Sequence, residues 1–82
     1  MNSGDKSVFI VEGMVVENLP NTMFRVKVAD RAPEEIAGHV ILCHLAGKMR
    51  LQYIKLLPGD AVRVEINRLD LARGRVVFKL KK

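Results

Sequence analysis

Hydrophobic and polar residues alternate over short stretches of the chain, which is the pattern of β-strands with one buried face. The alternation is clearest in residues 22–28, where Phe24, Val26 and Val28 would face the interior while the residues between them face water. Residues 61–66 repeat the pattern and predict another strand. Its inward side chains would be Val62, Val64 and Ile66.

Three further stretches are rich in β-branched residues and also predict strands. Residues 8–17 would form a long first strand, residues 39–45 a third strand and residues 75–80 a fifth. Gly13 interrupts the first strand and predicts a bulge or a sharp bend at that point. The inward residues of the third strand would be Ile41, Cys43 and Leu45.

The segments between the predicted strands contain residues typical of turns. Residues 18–21 and 56–60 each contain a proline and predict tight turns, and residues 67–74 predict a connecting loop. Residues 29–38 form a longer connection with Pro33 and two adjacent glutamates. We expect this connection to be a mobile surface loop, because it exceeds the usual length of a hairpin turn.

Residues 44–55 break the alternation. Met49, Tyr53 and Ile54 recur at helical spacing, which predicts a short amphipathic helix between the third and fourth strands. The same stretch is strongly cationic, with Lys48, Arg50 and Lys55.

Five strands with a short helix between the third and fourth predict an all-β protein, a five-stranded Greek-key barrel of the OB-fold type. An SH3-like barrel is the near alternative, although it normally lacks this helix. We expect one OB-fold domain over residues 8–80, a flexible N-terminal tail over residues 1–7 and a basic C-terminal tail over residues 81–82.

The charge is distributed unevenly along the chain. Lys and Arg total 14 against 9 acidic residues, for a net charge of +5, yet residues 1–46 hold 4 cations and 6 anions while residues 47–82 hold 10 and 3. This asymmetry favours a surface that faces a polyanion, and nucleic acid is the most common one. Arg68, Arg73 and Arg75 are crowded around one predicted loop and support this interpretation.

Other classes of function have little support in the sequence. His39 and His44 would point to opposite faces of one strand, the serines lie near the N-terminus, and no Gly-rich phosphate-binding motif is present. We therefore expect no catalysis, no cofactor and no metal site. A single cysteine excludes an internal disulfide, and the absence of a long apolar run or a signal-peptide pattern predicts a soluble cytoplasmic protein.

Aromatic residues are scarce, which limits the kind of nucleic acid that the protein could bind. We assign Phe9, Phe24 and Phe78 to the core, and Tyr53 could either pack or stack on a base. Proteins that bind single strands usually present several stacking aromatics. The sequence therefore favours recognition of the backbone and shape of folded RNA.

Several motifs of the chain resemble those of one known family. The motifs are Gly13, Leu19-Pro20-Asn21-Thr22-Met23-Phe24-Arg25-Val26, Gly38-His39-Val40, His44, Gly47-Lys48-Met49-Arg50, Tyr53-Ile54, Gly59-Asp60, Asp70-Leu71, Gly74-Arg75 and Val77-Phe78. Together they closely resemble bacterial translation initiation factor one, over nearly the whole chain. Residues 30–37 look like an insertion relative to that family, and Ala46 stands where the family commonly has a serine.

The resemblance implies a monomeric, non-enzymatic OB-fold protein that binds the small ribosomal subunit over the A site and blocks premature tRNA entry. It implies rRNA, a neighbouring ribosomal protein and the other two initiation factors as partners, and a role in placing initiator tRNA. The matching candidate RNA contacts are Asn21, His44, Lys48, Met49, Arg50, Arg68, Arg73 and Arg75. The alternatives are a general OB-fold RNA-binding or RNA-chaperone protein, and a small-barrel adaptor that binds protein.

Overall fold

The computed structural model describes residues 7–52 and 54–80. It confirms the predicted elements, five strands with one short helix between the third and the fourth. They are β1 (Val8–Leu19), β2 (Met23–Val28), β3 (Val40–Leu45), α1 (Gly47–Leu51), β4 (Ala61–Asn67) and β5 (Arg73–Lys79).

The strands form a closed barrel in the order β1-β2-β3-β5-β4. The long β1 pairs with β4 through its first half and with β2 through its second half, and both pairings are antiparallel. β5 lies between β3 and β4, parallel to β3 and antiparallel to β4. This five-stranded Greek-key barrel with a helix after β3 is an OB-fold, as predicted.

The interior is filled by the alternate side chains of the strands. The inward residues predicted for β2, β3 and β4 are all buried in one hydrophobic cluster. Burial of this apolar surface is the main stabilising contribution that a small domain without disulfides has.

Of the two features that we predicted for Gly13, a bulge or a sharp bend, the bulge lies elsewhere in β1. The bulge in β1 lies between Val15 and Glu17, so Val16 is the extra residue. β1 pairs with β2 and β4 together at two residues, Met14 and Gly13, and Gly13 has no side chain. A Cβ atom there would lie 2.7 Å from the carbonyl oxygen of Lys27, so the close approach of two backbones requires glycine.

A second bulge overturns the prediction that Phe78 belongs to the core. Val64 pairs with Val76, but the preceding residue Arg63 pairs with Phe78, so Val77 has no partner on β4. The extra residue reverses the alternation after Val76, and Phe78 points outward with 50% of its surface exposed. The prediction holds for the other two phenylalanines, because Phe9 and Phe24 are buried.

The connection of residues 29–38 is anchored to the barrel and is not merely a surface loop, contrary to our expectation. Ile36 is fully buried in the core cluster and Ala32 packs against it. Backbone hydrogen bonds join Gly38 to Val28 and Ala29 to Glu12, at 3.0 and 2.9 Å. The loop therefore contributes an apolar side chain to the barrel that lies outside any strand.

Helix α1 is shorter than the predicted stretch and is held mainly by packing. Ala46 precedes it and provides no side-chain cap, while Met49 is buried and Ile54, after the helix, packs against the core. The expectation for Tyr53, and those for the terminal tails apart from Ser7, lie outside the described residues. Among the helices of the described part, none is long and apolar enough to cross a membrane.

Candidate nucleic-acid interface

The β1–β2 turn places Asn21 at one end of the barrel. Asn21 and Thr22 both have positive φ angles, 64° and 56°, and both are exposed. Asparagine adopts this left-handed conformation more readily than most residues, which explains its use in the turn. Asn21 lines one groove with Arg50 of α1 and with Lys55, so the structure brings a turn and a helix that are distant in sequence to one surface.

Helix α1 presents two cations to solvent on either side of a buried residue. Lys48 and Arg50 are exposed, and neither forms an ion pair with a carboxylate of the described chain. Met49 lies between them with only 3% of its surface exposed. Met49 therefore anchors the helix to the core and offers almost no surface to a ligand, so we do not retain it among the candidate contacts.

His44 and Arg75 are neighbours on the outer surface of the barrel. Parallel pairing of β3 with β5 sets His44 beside Arg75. Arg73 lies beside Leu42, two residues earlier on the same pair of strands. On its other side His44 pairs with Met23, the residue that follows the β1–β2 turn. These registers join the turn to the two arginines.

A groove of about 340 Å³ runs beside this row of residues. It is lined by Val8, His44, Glu65, Asn67, Asp70, Arg73, Gly74 and Arg75. Glu65 forms a hydrogen-bonded ion pair with Arg75, and Asp70 lies 3.9 Å from Arg73. The two arginines are therefore held by carboxylates, in contrast to the cations of α1.

Arg68 does not line this groove, although its near neighbours in sequence, Asn67 and Asp70, do. Its guanidinium group is stacked over the ring of Phe9 at 4.2 Å from the ring centroid. Its backbone N–H donates a hydrogen bond to the carbonyl oxygen of Ser7 at 2.8 Å. Both contacts fix the start of the β4–β5 loop, so the structure gives Arg68 a structural role.

Six of the eight predicted residues are exposed on the surface of the barrel. Asn21 and Arg50 line one groove, His44, Arg73 and Arg75 line a second, and Lys48 lies on the same helix as Arg50. We call these six residues together the cationic face: Asn21, His44, Lys48, Arg50, Arg73 and Arg75. Lys55 was not among the predicted contacts, although it lines the same groove as Asn21 and Arg50. Its charge was the only signal in the sequence, because it lies in a segment without regular structure.

The acidic residues, histidines and Cys43 were the other candidates for a site in the described part of the chain. No three His, Cys, Asp or Glu side chains within residues 7–52 and 54–80 could hold a metal ion. Burial raises the pKa of the Cys43 thiol to about 12, opposed by a hydrogen bond with the backbone of Gly74. This thiol is protonated near neutral pH and is a core group.

Comparison with known proteins gives a consistent result. Residues 6–82 match the family model described as translation initiation factor 1A / IF-1. The solution structure of translation initiation factor one from the Wolbachia endosymbiont strain TRS of Brugia malayi superposes with a TM-score of 0.69 and 36% identity, covering 98% of this chain and 86% of that one. YjeQ from Thermotoga maritima matches with a TM-score of 0.64 and 31% identity over 90% of this chain but only 23% of its own. The chain therefore belongs to the translation initiation factor 1A / IF-1 family.

Proposed function

We propose that this protein binds the small ribosomal subunit at the A site through rRNA contacts made by the cationic face, and so blocks premature tRNA entry during initiation. The observation that supports the proposal most is the pair Lys48 and Arg50 on α1. Both are exposed and neither is paired with a carboxylate of the described chain. They can contact phosphates without first breaking an ion pair.

Phosphate contacts would supply most of the affinity, because each one releases counterions from the RNA. His44 and Asn21 would add hydrogen bonds that position the protein, and Arg73 and Arg75 would contribute once a phosphate competes with Asp70 and Glu65. The barrel measures 29 × 27 × 25 Å. A rigid body of that size would exclude tRNA by occupying its site, so no reaction step is required.

The other two initiation factors and a neighbouring ribosomal protein would be the further partners of this monomer, in the cytoplasm. The protein would help them to place initiator tRNA at the start codon. These roles use the surface that remains exposed once the cationic face lies on rRNA.

Binding to isolated small ribosomal subunits across a series of salt concentrations tests the proposal. Lys48→Glu/Arg50→Glu should weaken binding strongly and reduce the dependence of log K on log salt by about one for each cation removed. Lys48→Glu and Lys27→Glu form a charge-matched pair, since Lys27 is exposed on β2 and lines a different groove. Lys48→Glu should weaken binding at least about tenfold more than Lys27→Glu does.

Other results would favour the alternatives. Equal binding to unrelated RNAs that is insensitive to the double substitution would indicate a general RNA-binding or chaperone protein. Failure to bind RNA even at low salt would leave the protein-binding adaptor.

A further inference from the structure

Phe78 is an exposed aromatic side chain that shares a groove with Lys48 of the cationic face. The bulge at Val77 turns it outward, and half of its surface is accessible. An exposed phenylalanine ring contributes little to the stability of the barrel, because much of its apolar surface remains in water. The described chain buries its other two phenylalanines, so Phe78 is the one of the three that is free to contact a ligand.

Cations surround the ring. Arg63, its partner on β4, places its guanidinium group over the ring at 5.6 Å from the centroid. Arg63 does not line the groove of about 200 Å³ that Phe78 shares with Lys48 of α1 and with Lys79, so the part of the ring that faces this groove is the part available to a ligand. The Nζ atom of Lys79 donates a hydrogen bond to the backbone carbonyl oxygen of Lys55 at 3.2 Å, which fixes the position of this cation in the groove.

The groove has the chemical character of a nucleotide site. Its described lining consists of Lys48, Met49, Gln52, Ile54, Val77, Phe78 and Lys79, without a carboxylate. The carboxylates nearest to these cations are Glu12, 3.9 Å from Arg63, and Asp60, 3.6 Å from Lys79, and neither lines the groove. An aromatic ring with cations and an amide around it suits a base together with its phosphates.

We propose that Phe78 is a stacking platform for one unpaired RNA base, whose flanking phosphates are bound by Lys48 and Lys79. Stacking on the ring would contribute to the affinity only when a base is present, because it uses the π-face of the base. The phosphate contacts of the cationic face do not depend on a base. Lys48 belongs to both surfaces, so the platform extends the cationic face around the helix. This inference rests on the proposed RNA-binding function.

The test compares two probes at low salt, a single-stranded oligoadenylate and an abasic ribose-phosphate oligomer of the same length. Phe78→Leu keeps an apolar side chain but removes the ring, and it should lower the affinity for oligoadenylate about tenfold while leaving the abasic oligomer unchanged. Phe78→Tyr should retain oligoadenylate binding. Leu69→Ala is the matched control, because Leu69 is 91% exposed and lies outside the groove, and it should bind both probes as the parent does.

A second measurement reports stacking directly. The sequence contains no tryptophan, so Phe78→Trp introduces a single tryptophan, at the platform, which can be excited apart from Tyr53. Its emission should be quenched by saturating oligoadenylate and not by the abasic oligomer. Equal quenching by both probes, or equal oligoadenylate affinity for Phe78→Leu and the parent, overturns the inference.

The two proposals fail separately. Lys48→Ala should weaken binding to both oligomers, since it removes a phosphate contact. If small ribosomal subunits are not bound but the base dependence at Phe78 persists, the A-site proposal fails and the stacking platform stands. In the opposite case, Phe78→Leu binds subunits as the parent does, and the parent binds the two oligomers with equal affinity. The stacking platform then fails and the A-site proposal stands.

Discussion

The thiol of Cys43 lies inside the barrel, where charge is not solvated. Cys43 is fully buried on β3, and its pKa is raised by this burial to about 12 from an ordinary value of 9.0. In the unfolded chain the thiol is exposed to water and loses its proton at the ordinary pKa. Between these two values the folded state holds one more proton than the unfolded state.

This difference predicts a loss of stability in alkaline solution. As the pH rises from about 9 towards 12, the thiolate of the unfolded state becomes favoured, and the free energy of unfolding should fall by about 1.4 kcal/mol per pH unit. Urea denaturation at several alkaline pH values measures the fall. Cys43→Ala should be less stable below pH 9 but should lose less stability above it. Parallel pH profiles for the two proteins would contradict the prediction.

At the scale of elements, β5 fits between β3 and β4 only because it carries a glycine at the inward position. A Cβ atom on Gly74 would lie 2.7 Å from Cγ1 of Val64 and 3.0 Å from Cδ1 of Ile41. The first contact is too short for a real Cβ atom and the second is tighter than most, so the side chains of Val64 and Ile41 would have to shift. At this position the backbone of β5 packs directly against the side chains of Val64 and Ile41.

Gly74→Ala should therefore destabilise the protein by about 1–3 kcal/mol, because it overpacks the interior. Val64→Ala removes the methyl group nearest to the new Cβ, so the double substitution should be less destabilising than the sum of the single ones by at least about 0.5 kcal/mol. Denaturant unfolding of all four proteins completes the cycle. Gly47→Ala is the control: nothing lies within 4 Å of its Cβ position, and it should not destabilise. Strict additivity would show that the contact with Val64 is not the cause.

The same elements show what the sequence can and cannot predict. The strands β2 and β4 were predictable because each has one buried face, and alternation is a local signal. The exposure of Phe78 was not predictable, since the bulge at Val77 is a property of the pairing between β4 and β5. Ile36 is similar: it lies in a polar loop, and its burial depends on where the loop crosses the barrel.

In the candidate site, too, some features could be predicted from the sequence and others could not. The cations of α1 could be predicted from charge and from the resemblance, and the structure places Lys48 and Arg50 on the surface. The pairing of Arg75 with Glu65 could not, because it joins two strands whose register is set by the whole barrel. The burial of Met49 could not be predicted from the family motif either, because a motif gives the order of residues but not the direction in which each one points.

At the scale of the whole molecule, the acidic residues divide the cations into two groups. Glu12, Glu17, Asp60, Glu65 and Asp70 each pair with a cation of the described chain. The helix cations Lys48 and Arg50 form none of these pairs. The charges of α1 are therefore not offset by a paired carboxylate, whereas those of Arg73 and Arg75 are, so we expect α1 to attract a polyanion more strongly than these two arginines do.

Glu65→Gln should increase RNA affinity, because it releases Arg75 and removes a negative charge from the cationic face. We expect a gain of up to about fivefold at low salt, which should shrink as salt screens the interaction. Titration of small ribosomal subunits measures it. Glu34→Gln makes the same change in net charge on the exposed loop of residues 29–38 and should have a smaller effect. Equal gains in the two variants would assign the effect to net charge alone.

The order of the strands around the barrel also determines when the protein can fold. β5 is synthesised after the other four strands, yet it is the strand that joins β3 to β4, and β1 pairs with β4, which follows it by about fifty residues. Such pairings between distant parts of a chain make folding slow. Until β5 has emerged from the ribosome that makes it, β3 lacks its parallel partner and has an open edge. Closure of the barrel therefore waits for β5, in a protein whose family acts at the beginning of translation.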